Sequence, residues 1–127
     1  MMKKYFLIII LSAIFISCGR KDDSNPVIPT SPSDILNVHN PKFGDNFHPG
    51  DVVAIKWSFP ERIGSVNIFL YRKTELKEII AAGIKNSGEY SWKIPEIINR
   101  SVHYRIEIRN ANDSTFTSLS EYFYIVE

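Results

Sequence analysis

VHYRIEIR, residues 102–109, decides the fold. Each even position (Val102, Tyr104, Ile106, Ile108) is apolar or aromatic, and each odd one (His103, Arg105, Glu107, Arg109) is polar. A period of two describes a strand with one buried and one wet face. The same alternation recurs on both sides. Val53, Ile55 and Trp57 alternate with Val52, Ala54 and Lys56; Val66, Ile68 and Leu70 with Asn67, Phe69 and Tyr71; Tyr90, Trp92 and Ile94 with Glu89, Ser91 and Lys93. Further strands are predicted near 35–40, 76–82 and 121–126. From residue 35 onward no stretch of ten or more carries a clean 3.6-residue apolar period with helix caps. Residues 76–84, LKEIIAAGI, hold Leu, Lys, Glu and Ala that also suit a helical turn; they are read as a strand.

Turn chemistry fills the gaps: Pro41 with Gly44, Pro49-Gly50-Asp51, Pro60 to Gly64, Asn86-Ser87-Gly88, Pro95, and Asn110 to Asp113. About seven short strands separated by such turns predict an all-β fold, an immunoglobulin-like antiparallel β-sandwich over residues 35–127. With no disulfide, its core should lean on Trp57, Tyr90, Trp92, Tyr104 and Phe123.

The chain has 127 residues, 15 basic and 14 acidic, with one cysteine. That length allows one ordinary domain, and a net charge of +1 gives no electrostatic case for nucleic acid. A lone cysteine makes no internal disulfide and no zinc site by itself. Its position is informative instead. Lys3 and Lys4 precede an uncharged run from Tyr5 to Gly19, shorter than the roughly 20 residues of a membrane span. A basic start and a short apolar stretch describe a secretory signal. The run ends in Phe15-Ile16-Ser17-Cys18, which resembles a bacterial lipobox, and the resemblance implies cleavage before Cys18 and diacylglycerol on its thiol. Gly19-Arg20-Lys21-Asp22-Asp23 resembles the tag that sends some lipoproteins to the outer face of the outer membrane.

The expected organisation is a signal peptide at 1–17, a lipidated Cys18 with a Pro/Ser-rich tether through 34, and the folded domain. Removal of 1–17 deletes two lysines and no acid, leaving 13 basic and 14 acidic residues and a net charge of −1. Three prolines among small polar residues favour extended polyproline II, which at about 3.1 Å per residue reaches roughly 50 Å from the headgroups.

No G-x-S-x-G elbow, phosphate-binding loop, H-E-x-x-H or C-x-x-C is present. His39 and His48 near Asp45 and Asp51 could be drawn as metal ligands, but read more simply as turn formers; no metal, cofactor or catalytic residue is assigned. Glu61, Glu75, Glu78, Glu89, Glu96 and Glu107 are scattered over different elements. A binding face is better supported. If 66–71, 102–109 and 121–126 are neighbours in one sheet, its outward side chains are Phe69 and Tyr71, then His103, Arg105, Glu107 and Arg109, then Tyr122 and Tyr124. Aromatic rings beside guanidinium groups suit sugar rings or a protein partner. They also suit cross-strand pairs with arginine stems lying over the rings. Asp113-Ser114-Thr115 is similar to an O-glycosylation acceptor of some exported bacterial proteins and also reads as a polar turn.

Over 35–126 the residues resemble the Ser/Thr-rich anchored membrane protein family that includes the N-terminal domains of fungal cell-wall-synthesis proteins. The landmarks are Pro41 and Phe47 before Gly50-Asp51-Val52-Val53, then Ile55-Lys56-Trp57, Tyr90-Ser91-Trp92-Lys93-Ile94-Pro95, and Tyr104-Arg105-Ile106-Glu107-Ile108. The resemblance implies an immunoglobulin-like fold and a cell-surface setting, with fungal relatives linked to glucan assembly, and no catalytic residues. The expected protein is a non-catalytic, lipid-anchored outer-membrane surface protein that binds a protein partner or polysaccharide. The alternatives are an accessory lipoprotein of a larger outer-membrane assembly and, further off, a hydrolytic enzyme.

Overall fold

The computed structural model describes residues 36–127, so the expected signal peptide, Cys18 and tether lie outside the described residues. Nine strands follow one another: β1 (Asn37–Asn40), β2 (Asn46–Phe47), β3 (Val52–Ser58), β4 (Ser65–Arg72), β5 (Glu75–Lys85), β6 (Glu89–Lys93), β7 (Ser101–Asn110), β8 (Asp113–Leu119) and β9 (Phe123–Ile125). They form two sheets. The smaller runs β1-β3-β6; the larger runs β2-β9-β7-β4-β5, with β8 also paired to β7. Every pairing is antiparallel except that of β2 with β9. This is the immunoglobulin-like sandwich predicted, with β4, β7 and β9 adjacent as the C, F and G strands of that fold are.

The period-two reading assigns the inner faces correctly except at Val102, which is 44% exposed because the β7–β9 register is irregular between Ser101 and Tyr104. Tyr104, Ile106 and Ile108 of β7, Val66, Ile68 and Leu70 of β4, and Val53, Ile55 and Trp57 of β3 are buried in one core with Trp92, Ile94, Phe123 and Ile125. Full burial of such side chains is worth about 1.5–3 kcal/mol each. Tyr104 stacks on Phe123 with ring centroids 6.1 Å apart, and Phe47 meets Phe123 edge-on at 5.8 Å. Tyr104 is fully buried, so its hydroxyl needs a partner. It donates to the Asn99 carbonyl at 2.6 Å, five residues upstream, in the manner of a tyrosine corner. Of the five expected aromatics, Tyr90 alone is half-buried.

Asn86 fastens one end of the sandwich. Its Oδ1 accepts the Trp57 indole N–H at 2.7 Å, and its Nδ2 donates to the carbonyls of Ile63 at 2.9 Å and Pro60 at 3.2 Å. Two residues on, the chain reverses at Gly88, whose φ of +90° favours a residue without a β-carbon.

The strand count is higher than the seven expected because the two-residue β2 and the strand β8 are additional. The last strand is split at Ser120: β8 pairs with the C-terminal half of β7 and β9 with its N-terminal half. Buried Ser120 bridges the break, its N–H donating to the Ile106 carbonyl and its Oγ accepting the Ile106 N–H, both at 2.8 Å. Residues 113–119 lie between the turn expected at 110–113 and the strand expected at 121–126 and carry few large apolar side chains, so no strand is predicted there. Asp113 and Thr115 belong to β8, where Asp113 Oδ1 accepts both the backbone N–H and the hydroxyl of Thr115. The segment expected as a strand at 76–82 is longer, Glu75–Lys85, because pairing along the whole of β4 outweighs its mixed local propensity.

Candidate binding face

The larger sheet turns one face to the core and one to solvent, and the register fixes what the outer face carries. Residues directly opposite each other share a face. Phe69 lies opposite Glu107 on one side and Ile79 on the other, and Glu107 lies opposite Leu119. Tyr71 lies between Arg105 and Leu76, and Arg109 between Asn67 and Thr117. Phe69, Tyr71, Arg105, Glu107 and Arg109 are thereby brought together as their spacing predicts. Tyr122 joins them: the Arg105 guanidinium stands 4.2 Å from its ring centroid, and His103 meets the ring edge-on at 5.7 Å. Tyr124 sits further along, opposite Asn46 at the β2 edge.

The face is not a display of open rings. Arg109 lies 4.3 Å over Phe69, which is only 8% exposed, and Arg105 covers Tyr122. Each guanidinium gains a cation–π contact and removes a ring surface from solvent.

Glu107 is the least expected feature. It points outward yet is 7% exposed, because Arg109 folds across it. Arg109 donates from Nη2 to Oε1 at 2.7 Å and from Nε to Oε2 at 3.2 Å, and the Thr117 hydroxyl donates to Oε2 at 2.5 Å. Arg109 Nη2 also donates to the Tyr71 hydroxyl at 3.3 Å. Burial pushes the Glu107 carboxyl up, but the hydrogen bonds from Arg109 and Thr117 and the adjacent guanidinium charge outweigh it, so the carboxyl titrates below its ordinary value. The hydrogen bond to Glu107 raises Arg109 correspondingly. The cluster is a fixed, internally neutral polar floor.

Sequence reasoning missed the apolar members of the face. Leu76, Ile79 and Leu119 are 46%, 59% and 46% exposed. They come from β5 and β8, and their alignment with Tyr71, Phe69 and Glu107 follows only once those strands are placed beside β4 and β7. Glu78 was missed in another way. It faces inward from edge strand β5 into a cleft of about 410 Å³ lined also by Leu70, Lys77, Ile97, Asn99 and Tyr104. Burial there raises its carboxyl. The Trp92 indole N–H pulls the other way, less strongly than burial.

The residues that could be drawn as metal ligands do not converge. His39 Nε2 is 2.6 Å from Ser58 Oγ, while Asp51 accepts the His48 backbone N–H at 2.8 Å and Asp45 that of Lys42 at 2.9 Å. Among the described residues no group of three His, Cys, Asp or Glu side chains is placed to hold a metal ion.

Two sheets in immunoglobulin-like strand order define an immunoglobulin-like β-sandwich. The family model for the Kre9/KNH-like N-terminal Ig-like domain matches residues 40–125, well over half of the chain, and the chain belongs to that family. Comparison with the curated proteins gives no match.

Proposed function

We propose that this is a non-catalytic, lipid-anchored surface protein whose outer sheet face docks a protein partner. The observation that carries the reading is the in-register set of exposed Leu76, Ile79 and Leu119 around the fixed Glu107–Arg109–Tyr71 cluster. Exposed apolar side chains gathered on one face beside polar groups mark interaction surfaces. A rigid, neutralised floor has little left to order when a partner arrives, which lowers the cost of binding. A polysaccharide is the weaker alternative, since the ring faces it would stack on at Phe69 and Tyr122 are occupied by guanidinium groups. The accessory-lipoprotein reading draws on β5, an eleven-residue strand at the sheet edge to which a strand of a larger assembly could add.

Photo-crosslinking residues at Ile79 and Leu119 in intact cells test the face, with Lys56 on the other sheet as control. Discrete protein adducts from the first two and none from Lys56 are expected; adducts alike from all three, or none, would refute the face. Fatty-acid labelling abolished by Cys18→Ser, with protease sensitivity of the domain on intact cells, tests the anchored, surface-displayed placement.

A further inference from the structure

We propose that the face holds a socket for one carboxylate of the partner, formed by Arg105 and Lys73. It rests on the docking reading above and adds the chemistry of what is recognised.

Arg105 sits on central strand β7, half-buried, with the Tyr122 ring beneath its guanidinium. Among the described residues its buried Nε has no hydrogen-bond partner, and no acidic side chain lies within ion-pair distance. Its neighbours differ: Arg72 pairs with Glu75 at 3.7 Å, Arg100 with Glu127 at 3.1 Å and Arg109 with Glu107 at 2.7 Å. A desolvated N–H without an acceptor costs free energy, and a charged one more.

Beside Arg105 is a depression of about 240 Å³ lined by Tyr71, Lys73, Thr74, Arg105, Glu107 and Leu119. Glu107 brings no free charge, since Arg109 neutralises it. Lys73 does bring one. It is exposed and, among the described residues, unpaired in the two-residue turn between β4 and β5, at φ +58°, and its backbone N–H donates to the His103 carbonyl at 2.8 Å, pinning the turn to β7. The socket thus presents two cations beside the exposed Leu119, with Leu76 opposite Tyr71.

The outer Nη nitrogens of the Arg105 guanidinium are not buried and have no partner among the described residues, and such a planar fork fits a carboxylate, which accepts two parallel hydrogen bonds. The volume suits one acidic side chain, and the flanking leucines suit apolar neighbours in the same segment. The occupant is therefore an Asp or Glu of the partner protein, set between apolar residues.

The full chain in detergent micelles, labelled with 15N and at its methyl groups, is titrated with acetyl-Leu-Glu-Leu-amide and acetyl-Leu-Gln-Leu-amide. The expected result is a saturable shift of the Arg105 Nε–H resonance with the Glu peptide, at an affinity about fivefold or more above that for the Gln peptide. Arg105→Lys, which keeps charge and loses the fork, should abolish the preference. Lys73→Gln, on an exposed turn, should weaken the Glu peptide about two- to fivefold with melting unchanged. Equal response to both peptides overturns the socket, as does silence of Arg105 at about 10 mM peptide. Shifts confined to the methyls of Leu76, Ile79 and Leu119 would overturn the socket while supporting the face. Loss of the Ile79 and Leu119 crosslinks is the separate result that overturns the face.

Discussion

Glu107→Gln isolates the energetics of the ion cluster on the outer face. Removing one partner of a buried pair costs about 3–5 kcal/mol, because the other charge is left desolvated. Here the Glu107 side chain is 9% exposed and that of Arg109 27%, so water can partly rehydrate the guanidinium and the lower end applies. Gln keeps the shape and one acceptor oxygen, which reduces the expected loss to about 1–2 kcal/mol. In a domain of this size that lowers the melting temperature by about 5–15 °C. The pH dependence is the sharper signature. The folded Glu107 carboxyl titrates below its ordinary value of 4.5, so its contribution is full above that value and is lost as pH falls through the lower folded value. Urea unfolding from about pH 7 to about pH 3 should therefore show a loss in the wild type that is smaller in Glu107→Gln. Asp113, held low by its hydrogen bonds from Thr115, and Glu78, raised by burial, titrate in both proteins and cancel in the comparison. Equal losses in the two proteins across that range would refute the assigned role of the cluster.

Asn86→Ala should cost about 2–4 kcal/mol by urea unfolding, because Trp57 Nε1 and two carbonyls lose their partners together; Asn86→Asp, which keeps the acceptor for Trp57, should fall between. Tyr104→Phe should lose about 1–2 kcal/mol in the same assay, through the hydrogen bond to Asn99 alone, with its ring stacking on Phe123 intact. Lys73→Gly relieves a left-handed backbone and should raise stability by up to about 1 kcal/mol, read as a higher melting temperature.

The inner faces of β3, β4 and β7 were legible because burial of one face imposes a period of two on the sequence. The outer face was legible as a set of residues but not as a surface. Alternation says that Glu107 points away from the core; it does not say that Arg109, two residues on, will cover it with help from Thr117 on another strand. Phe69 was placed on the outer face, but its burial was not legible for the same reason, since its exposure is set by a guanidinium rather than by its own strand. The turn at Lys73-Thr74 carries no Gly or Asn, so nothing marked the hairpin or the cation it presents. Leu76, Ile79 and Leu119 needed the register across three strand pairs, which is long-range information.

The parallel β2–β9 pair bears on how the domain carries load. Tension from the N-terminal side first meets β1, four residues paired only to β3, whose hydrogen bonds open one at a time when the pull runs across the strand. It then reaches the segment around β2, held to the last strand by Gly44 N–H to Tyr122 O at 3.0 Å, Tyr124 N–H to Asp45 O at 2.8 Å and Val126 N–H to Phe47 O at 2.9 Å. Pulled along their length, these bonds are stressed together rather than in turn. The first strand is a yielding buffer and the second a shear clamp, so a tug on the chain peels a few residues while the sheet that bears the outer face keeps its shape.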